Sequence, residues 1–143
     1  KGVFNVPLGD MNNPTLYERE NLLECSKALK NTEILSEDYK ALLPRVGKDD
    51  FVYLDPPYVP LSKTAHFTSY TKGGFGEEEQ KELKEFCECL DSRGVQFLLN
   101  NSDTELVRNL YSSFKIAVIE ARRSLAASGV SRKTAREVVV TNY

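Results

Sequence analysis

The sequence lacks the features that would mark a membrane protein or a zinc protein. No apolar run among the 143 residues approaches the length that spans a bilayer. The cysteines, Cys25, Cys87 and Cys89, show no zinc-ligand spacing with His66, the one histidine. His66 also lacks a sequence partner that would make it a general base. We therefore expect no membrane association, no metal, and reduced thiols in a cytoplasmic protein.

Net positive charge is also lacking, although the charges are distributed unevenly. The formal net charge is −2 at pH 7, which is weak support for a nucleic-acid-binding protein. From Glu77 to Asp91 there are seven acids and two lysines, a pattern typical of a solvated helix face. From Lys115 to Arg136, six basic residues accompany one acid. This basic stretch is compatible with either phosphate contacts or an ordinary solvated surface.

The most informative stretch is an apolar run followed by a carboxylate, two prolines and a tyrosine. Residues 51–54 (Phe-Val-Tyr-Leu) are typical of a buried strand in a parallel sheet. Pro56 and Pro57 cannot donate to a sheet ladder, so the strand must end before them. Asp55 and Tyr58 are therefore expected just past the carboxyl end of a strand. Open α/β sheets bind their ligands at that edge.

This tetrapeptide has the groups needed to hold a nucleobase amine. Such an amine is a poor nucleophile because its lone pair is delocalised into the ring. The Asp55 carboxylate and the Pro56 carbonyl could each accept one of its N–H bonds, turning the lone pair towards an electrophile, while Pro57 stiffens the turn. Tyr58 could stack on a flipped base, contributing roughly 1–3 kcal/mol. The alternative is a strand-ending turn followed by a surface tyrosine.

Strand and helix patterns alternate along the chain, which indicates an α/β protein with a mostly parallel sheet. Strands are predicted at 33–35, 51–54, 95–99, 116–119 and 137–141, the last two as an antiparallel hairpin. Helices are predicted at 15–30, 40–43, 77–93 and 104–111. The long segment 59–76 has no periodicity, so it is predicted to be a loop that could close over a ligand.

A second polar and aromatic pair is expected at the same sheet edge as Asp55. Asp38 and Tyr39 follow the predicted strand at 33–35. A carboxylate that accepts from an amine, or a ring that stacks, could hold an adenine there. The alternative is a helix cap followed by a surface tyrosine.

Several segments resemble one enzyme family. Asp55-Pro56-Pro57-Tyr58 resembles the catalytic motif of amino-directed DNA methyltransferases, and its aspartate is typical of the adenine-N6 branch. Residues 3–9 (Val-Phe-Asn-Val-Pro-Leu-Gly) are similar to a segment of Dam-type DNA adenine methyltransferases. Other segments look like that family in the same order along the chain, namely 60–62, 67–70, 101–102, 122–124 and 140–143.

The resemblance implies a partial, Rossmann-like methyltransferase sheet and transfer of methyl from S-adenosylmethionine to adenine N6 in double-stranded DNA, commonly in GATC. It also implies a role for each matching residue. The catalytic group would be Asp55, Pro56, Pro57 and Tyr58; the cofactor contacts would be Asp38, Tyr39 and Asp55; the DNA contacts would be Asn5, Pro7, Arg122, Arg123 and Arg132.

Two cofactor-binding segments of the family have no counterpart, a Trp-x-Gly-Gly-Lys-like stretch and a Phe-x-Gly-x-Gly loop. The chain also begins at Lys1 within a strand-like pattern. We therefore expect a fragment of a prokaryotic or phage enzyme, whose partner is its own missing N-terminal part and which is inactive alone. Residues 1–13 would end a DNA target-recognition hairpin, and residues 14–143 would be the C-terminal part of the catalytic domain.

Two other functions stay open from the sequence. One is a methyltransferase acting on RNA adenine or protein glutamine, although those enzymes usually present Asn in place of Asp55. The other is a non-catalytic half of a split methyltransferase.

Overall fold

A computed structural model describes residues 17–61, 75–122 and 134–143. The chain divides into two compact units, Lys1–Glu37 and Asp38–Tyr143. The described part of the first unit holds helix α1, Arg19–Ala28, and a 3₁₀ turn, Leu29–Asn31. No side chain of α1 is buried.

The described part of the second unit is a four-stranded sheet with two helices. Its strands are β1 (Phe51–Leu54), β2 (Gln96–Ser102), β3 (Lys115–Arg122) and β4 (Thr134–Thr141). Its helices are α2 (Glu77–Ser92) and α3 (Glu105–Leu110), preceded by a 3₁₀ turn, Tyr39–Leu42. This mixture of helices and strands confirms the predicted α/β class.

The strand order is β1-β2-β4-β3. β1 and β2 pair in parallel, whereas β4 is antiparallel to both of its neighbours. The predicted C-terminal hairpin is therefore confirmed as β3–β4. Three strands run in one direction, but only one of the three pairings is parallel, because the last strand inserts between β2 and β3. The expectation of a mostly parallel sheet holds for strand direction and is wrong for strand pairing.

The sequence of helix α2 marks both its apolar face and its two ends. The helix lies within the predicted range 77–93, its apolar positions recur at helical spacing, and Leu83, Phe86, Cys87 and Leu90 are all buried. The Glu79 side chain accepts a hydrogen bond from the backbone N–H of Gly76, which precedes the helix. Beyond the other end, Gly94 has φ +70°, a conformation that glycine adopts without strain.

The hydrophobic core lies on one face of the sheet. It joins the inward side chains of α2 and α3 to alternate strand residues, among them Val52, Leu54, Phe97, Leu99 and Val138. The intervening side chains point to the other face, where Phe51 and Tyr53 are 53% and 58% exposed. We call the face that packs against the helices the covered face, and the face that carries Phe51 and Tyr53 the open face.

One local prediction is wrong. Residues 33–35 (Glu-Ile-Leu) form no strand, because only two of them are apolar, and the segment has no pairing partner within the described part of the chain and stays exposed. Along α1 and the 3₁₀ turn that follows it, the apolar side chains of Leu22, Cys25 and Leu29 are exposed.

Candidate active site

The candidate site begins where β1 ends. Leu54 is buried, whereas Asp55, the next residue, is exposed. The strand stops there because the following two residues are prolines, which have no N–H for a ladder. Asp55 thus lies past the carboxyl end of a strand, as the sequence predicted.

A cleft of about 250 Å³ opens beside this strand end. Its walls are mainly apolar and aromatic, with the Asp55 carboxylate at the rim. The lining residues are Tyr39, Leu42, Tyr53, Leu54, Asp55, Pro56, Pro57, Phe75 and Leu83. The structure therefore brings Tyr39 together with Asp55, Pro56 and Pro57, although the strand expected to place Tyr39 is missing.

Tyr58 is half-buried and is not among the residues that line the cleft. Its pKa is raised well above the usual tyrosine value, first by burial and then by the negative charges of Asp55 and Glu137. A hydrogen bond with the Asp55 side chain acts in the same direction. The phenol is therefore neutral at physiological pH and acts as a hydrogen-bonding neighbour of the carboxylate.

Two buried amides, which the sequence analysis did not select, hold the backbone on either side of Tyr58. The Gln80 Nε2 donates to the Pro57 carbonyl over 3.0 Å. The backbone N–H of Val59 donates to the Asn101 Oδ1 over 2.9 Å. The Asn101 Nδ2 donates to the Gln80 Oε1 over 3.1 Å and joins the two side chains. We call this arrangement the amide bridge.

A signal for the amide bridge was present in the sequence. Gln80 occupies the position one turn before Leu83 in the apolar stripe of α2, where a polar side chain is unusual. Asn101 continues the buried strand pattern of β2. Buried polar side chains at apolar positions require partners, and here the partners belong to the candidate site.

Asp38 and Tyr39 have structural roles in addition to the cofactor contacts expected of them from the sequence. The Asp38 Oδ1 accepts from the backbone N–H of Lys40 over 2.9 Å, so this carboxylate caps the 3₁₀ turn. The Tyr39 ring packs edge-on against Phe86, with centroids 5.1 Å apart. Asp38 is not among the residues that line the cleft, whereas Tyr39 is.

The predicted DNA contacts fall mostly outside the described residues. Asn5, Pro7, Arg123 and Arg132 all lie outside them. Arg122 is the last residue of β3 and is in register with Thr134 of β4. The structure therefore gives no side-chain geometry for the predicted DNA-binding group.

Two arginines, Arg108 and Arg136, pair with the carboxylate of Asp103. The Arg108 Nε lies 2.6 Å from the Asp103 Oδ1, and the Arg136 Nε lies 3.3 Å from the Oδ2. The hydrogen bond from Arg108 holds the pKa of Asp103 below its usual range, and the charges of both arginines contribute. Arg136, counted in the basic stretch, is thus partly neutralised.

Residues 17–61, 75–122 and 134–143 contain no cluster of histidine, cysteine and acidic residues arranged to hold a metal ion. Within the same ranges no helix has both the length and the apolar character needed to cross a bilayer.

The cleft fits part of a ligand that combines a flat ring with a positive centre. Aromatic and aliphatic walls suit a ring, and the carboxylate of Asp55 suits a cation or an N–H donor. S-Adenosylmethionine has both features. Drug-sized ligands usually occupy about 300–1,000 Å³, so this cleft would hold one portion of such a molecule.

Known proteins similar to this chain are DNA methyltransferases. The chain is 43% identical to the type II methyltransferase M1.LlaDCHI of Lactococcus lactis subsp. cremoris, over 100% of this chain and 51% of that protein. It is 41% identical to the type II methyltransferase M.MjaIII of Methanocaldococcus jannaschii, over 100% and 50%. It is 37% identical to the DNA adenine methylase of Escherichia coli, over 97% and 50%.

A family profile covers most of the chain. The profile of the D12 class N6 adenine-specific DNA methyltransferases matches residues 1–125. The chain therefore belongs to the D12 class of N6 adenine-specific DNA methyltransferases, which confirms the resemblance to Dam-type enzymes. It spans about half the length of the curated relatives that it matches.

Proposed function

We propose that this chain is the methyl-acceptor part of a site-specific DNA methyltransferase that modifies N6 of adenine in duplex DNA, with S-adenosylmethionine as the methyl donor and a GATC-type site. The observation that carries the proposal is the exposed Asp55 carboxylate at the end of β1, beside Tyr58 and an apolar cleft. Family membership supports the same chemistry.

In the proposed mechanism, protein groups position the target amine. DNA binding is followed by extrusion of the adenine, which stacks on Tyr58. The Asp55 carboxylate and the Pro56 carbonyl accept one N–H bond each, so that the N6 lone pair is available for attack. The amine proton leaves during or after methyl transfer. Positioning and electrostatic stabilisation supply most of the catalysis, without a covalent enzyme intermediate.

The residues that would contact S-adenosylmethionine are Asp38, Tyr39 and Asp55. Tyr39 contributes an aromatic wall of the cleft, and Asp55 contributes a carboxylate at its rim. The bound cofactor would supply the methyl group as an electrophile. The remainder of the cofactor would be held by segments beyond these 143 residues.

DNA would be bound by two groups of residues. Asn5 and Pro7 would belong to the end of a target-recognition hairpin, residues 1–13, which precedes the catalytic part, residues 14–143. Arg122, Arg123 and Arg132 would contact phosphates, a role that suits the basic stretch near the C-terminus.

We further propose that catalysis requires an N-terminal partner segment, and we call the two together the complete enzyme. The chain spans about half of its relatives, and the cleft is small for a whole cofactor. In this proposal the enzyme works in the cytoplasm of a prokaryote or a phage-infected cell. The chain alone would be an inactive half.

Nucleoside analysis tests the function. The complete enzyme and the chain alone are each incubated with unmethylated duplex DNA and S-adenosylmethionine carrying a labelled methyl group. We expect labelled N6-methyladenine with the complete enzyme and none with the chain alone. RNA and a glutamine-containing protein serve as competing acceptors. Label in either acceptor, or as N4-methylcytosine, in place of N6-methyladenine would contradict the proposal.

A further inference from the structure

The amide bridge holds the two peptide groups that flank Tyr58. The carbonyl on one side belongs to Pro57 and the N–H on the other belongs to Val59. Neither group makes a backbone hydrogen bond with another of the described residues. The backbone around the proposed base-stacking residue is therefore anchored by Gln80 and Asn101.

Both side chains of the bridge are fully removed from water. Gln80 is 1% exposed and Asn101 is 0% exposed. Burying an amide costs free energy unless its donors and acceptors are paired, so a purely apolar pair would be the simpler core. The observed pairing uses both oxygens and both nitrogens, and rotating either amide would place like groups against each other.

The bridge also links three separate parts of the fold. Gln80 lies in the first turn of α2, and Asn101 lies near the end of β2. The Asn101 Oδ1 additionally accepts from the N–H of Ser102 over 2.8 Å, which fixes the orientation of this amide against its own strand. Movement of the tyrosine segment relative to either element would break a buried hydrogen bond.

We propose that Gln80 and Asn101 are positioning residues that set the geometry of Asp55, Pro56 and Tyr58 for methyl transfer. This inference rests on the proposed function, because the geometry matters for catalysis only if the strand end handles the target amine. Displacing reacting groups by about 1 Å can cost on the order of 10²-fold in rate. Loss of the bridge should therefore lower turnover more than it weakens binding.

The kinetic test compares Gln80→Met with the unmodified complete enzyme. Methionine keeps the length and apolar volume of the side chain and removes both hydrogen bonds. We expect kcat to fall about 10- to 100-fold, while KM for DNA and for S-adenosylmethionine changes less than about threefold. Lys81→Met, at a partly exposed position one residue along the same helix, is the matched control and should leave kcat unchanged.

A pH profile of Gln80→Glu separates a positioning role from a merely structural one, because a merely structural role would not make the relative activity of this variant depend on pH. Burial raises the pKa of a carboxyl group. Below that pKa the protonated glutamic acid can still donate to the Pro57 carbonyl, whereas the carboxylate above it cannot. The activity of Gln80→Glu relative to the unmodified enzyme should therefore rise as pH falls. A flat ratio, together with unchanged kcat in Gln80→Met, would overturn the proposal.

Hydrogen exchange tests the bridge independently of methyl transfer. In Asn101→Leu, the Val59 amide loses its acceptor, so its exchange should accelerate at least about tenfold while the amides of β4 stay protected. Unchanged exchange at Val59 would contradict the anchoring itself. An unmodified complete enzyme that fails to methylate DNA would contradict the proposed function and leave the exchange result unaffected. The two failures are thus distinguishable.

Discussion

The covered and open faces of the sheet present the same strands to different surroundings. On the covered face, Val52 and Phe97 pack into the core with α2 and α3. On the open face, Phe51 and Tyr53 of the same strand β1 are more than half exposed. The alternation along one four-residue strand thus separates residues that hold the fold from residues that are available to other molecules.

This difference explains how an exposed site can keep a fixed geometry. Asp55 is open to solvent, and its carboxylate can reach a ligand in the cleft. The backbone that carries it is nevertheless anchored from the covered side, through Leu54 in the core and through the amide bridge. The site therefore combines an accessible reactive group with a buried support.

The largest expected effect compares two phenylalanines on opposite faces. Phe97→Ala removes a fully buried ring that packs edge-on against Phe114, so we expect a loss of about 3–5 kcal/mol in the free energy of unfolding. Phe51→Ala on the open face should cost less than about 1 kcal/mol. Urea denaturation of the chain measures the free energy of unfolding of both variants. Equal losses would contradict the difference in packing between the covered face and the open face.

A smaller effect is expected at Asp103, which follows β2 directly. The arginine partners of Asp103 depress the pKa of its carboxyl group in the folded state. The carboxylate therefore stabilises the fold at pH values above its unfolded pKa of about 3.9. This stabilisation is lost as pH falls through the folded pKa. Asp103→Asn should remove up to about 1 kcal/mol at neutral pH, since both arginines are partly exposed.

The pH series supplies the control for this prediction. The stabilities of Asp103→Asn and of the unmodified chain, measured by urea denaturation, should converge at pH values below the folded pKa of Asp103. A difference that stays constant from pH 7 to pH 3 would show that the ion pair is not its cause.

The elements that the sequence predicted well are those determined by local periodicity. Helix α2 was recognisable from its apolar spacing and from Gly94 beyond its end. The end of β1 was recognisable because proline cannot continue a ladder. The strand predicted at 33–35 was wrong, since two apolar residues after Glu33 carry too little information to specify a pairing partner.

What the sequence did not predict depends on contacts between distant residues. The insertion of β4 between β2 and β3 is a pairing choice that strand propensity cannot specify. The amide bridge joins residues 21 positions apart, Gln80 and Asn101, and neither position in the sequence identifies the other as its partner. Tyr39 reaches the cleft even though the strand expected to position it is not formed.

The most direct test of the account is the single-turnover rate of methyl transfer in the complete enzyme carrying Asp55→Ala, at saturating DNA and S-adenosylmethionine. Because Asp55 is exposed, this change should leave stability nearly unchanged. Loss of a group that orients the reacting amine should lower the rate at least about 100-fold. A rate within about twofold of the unmodified enzyme would contradict the assignment of this carboxylate to the target amine.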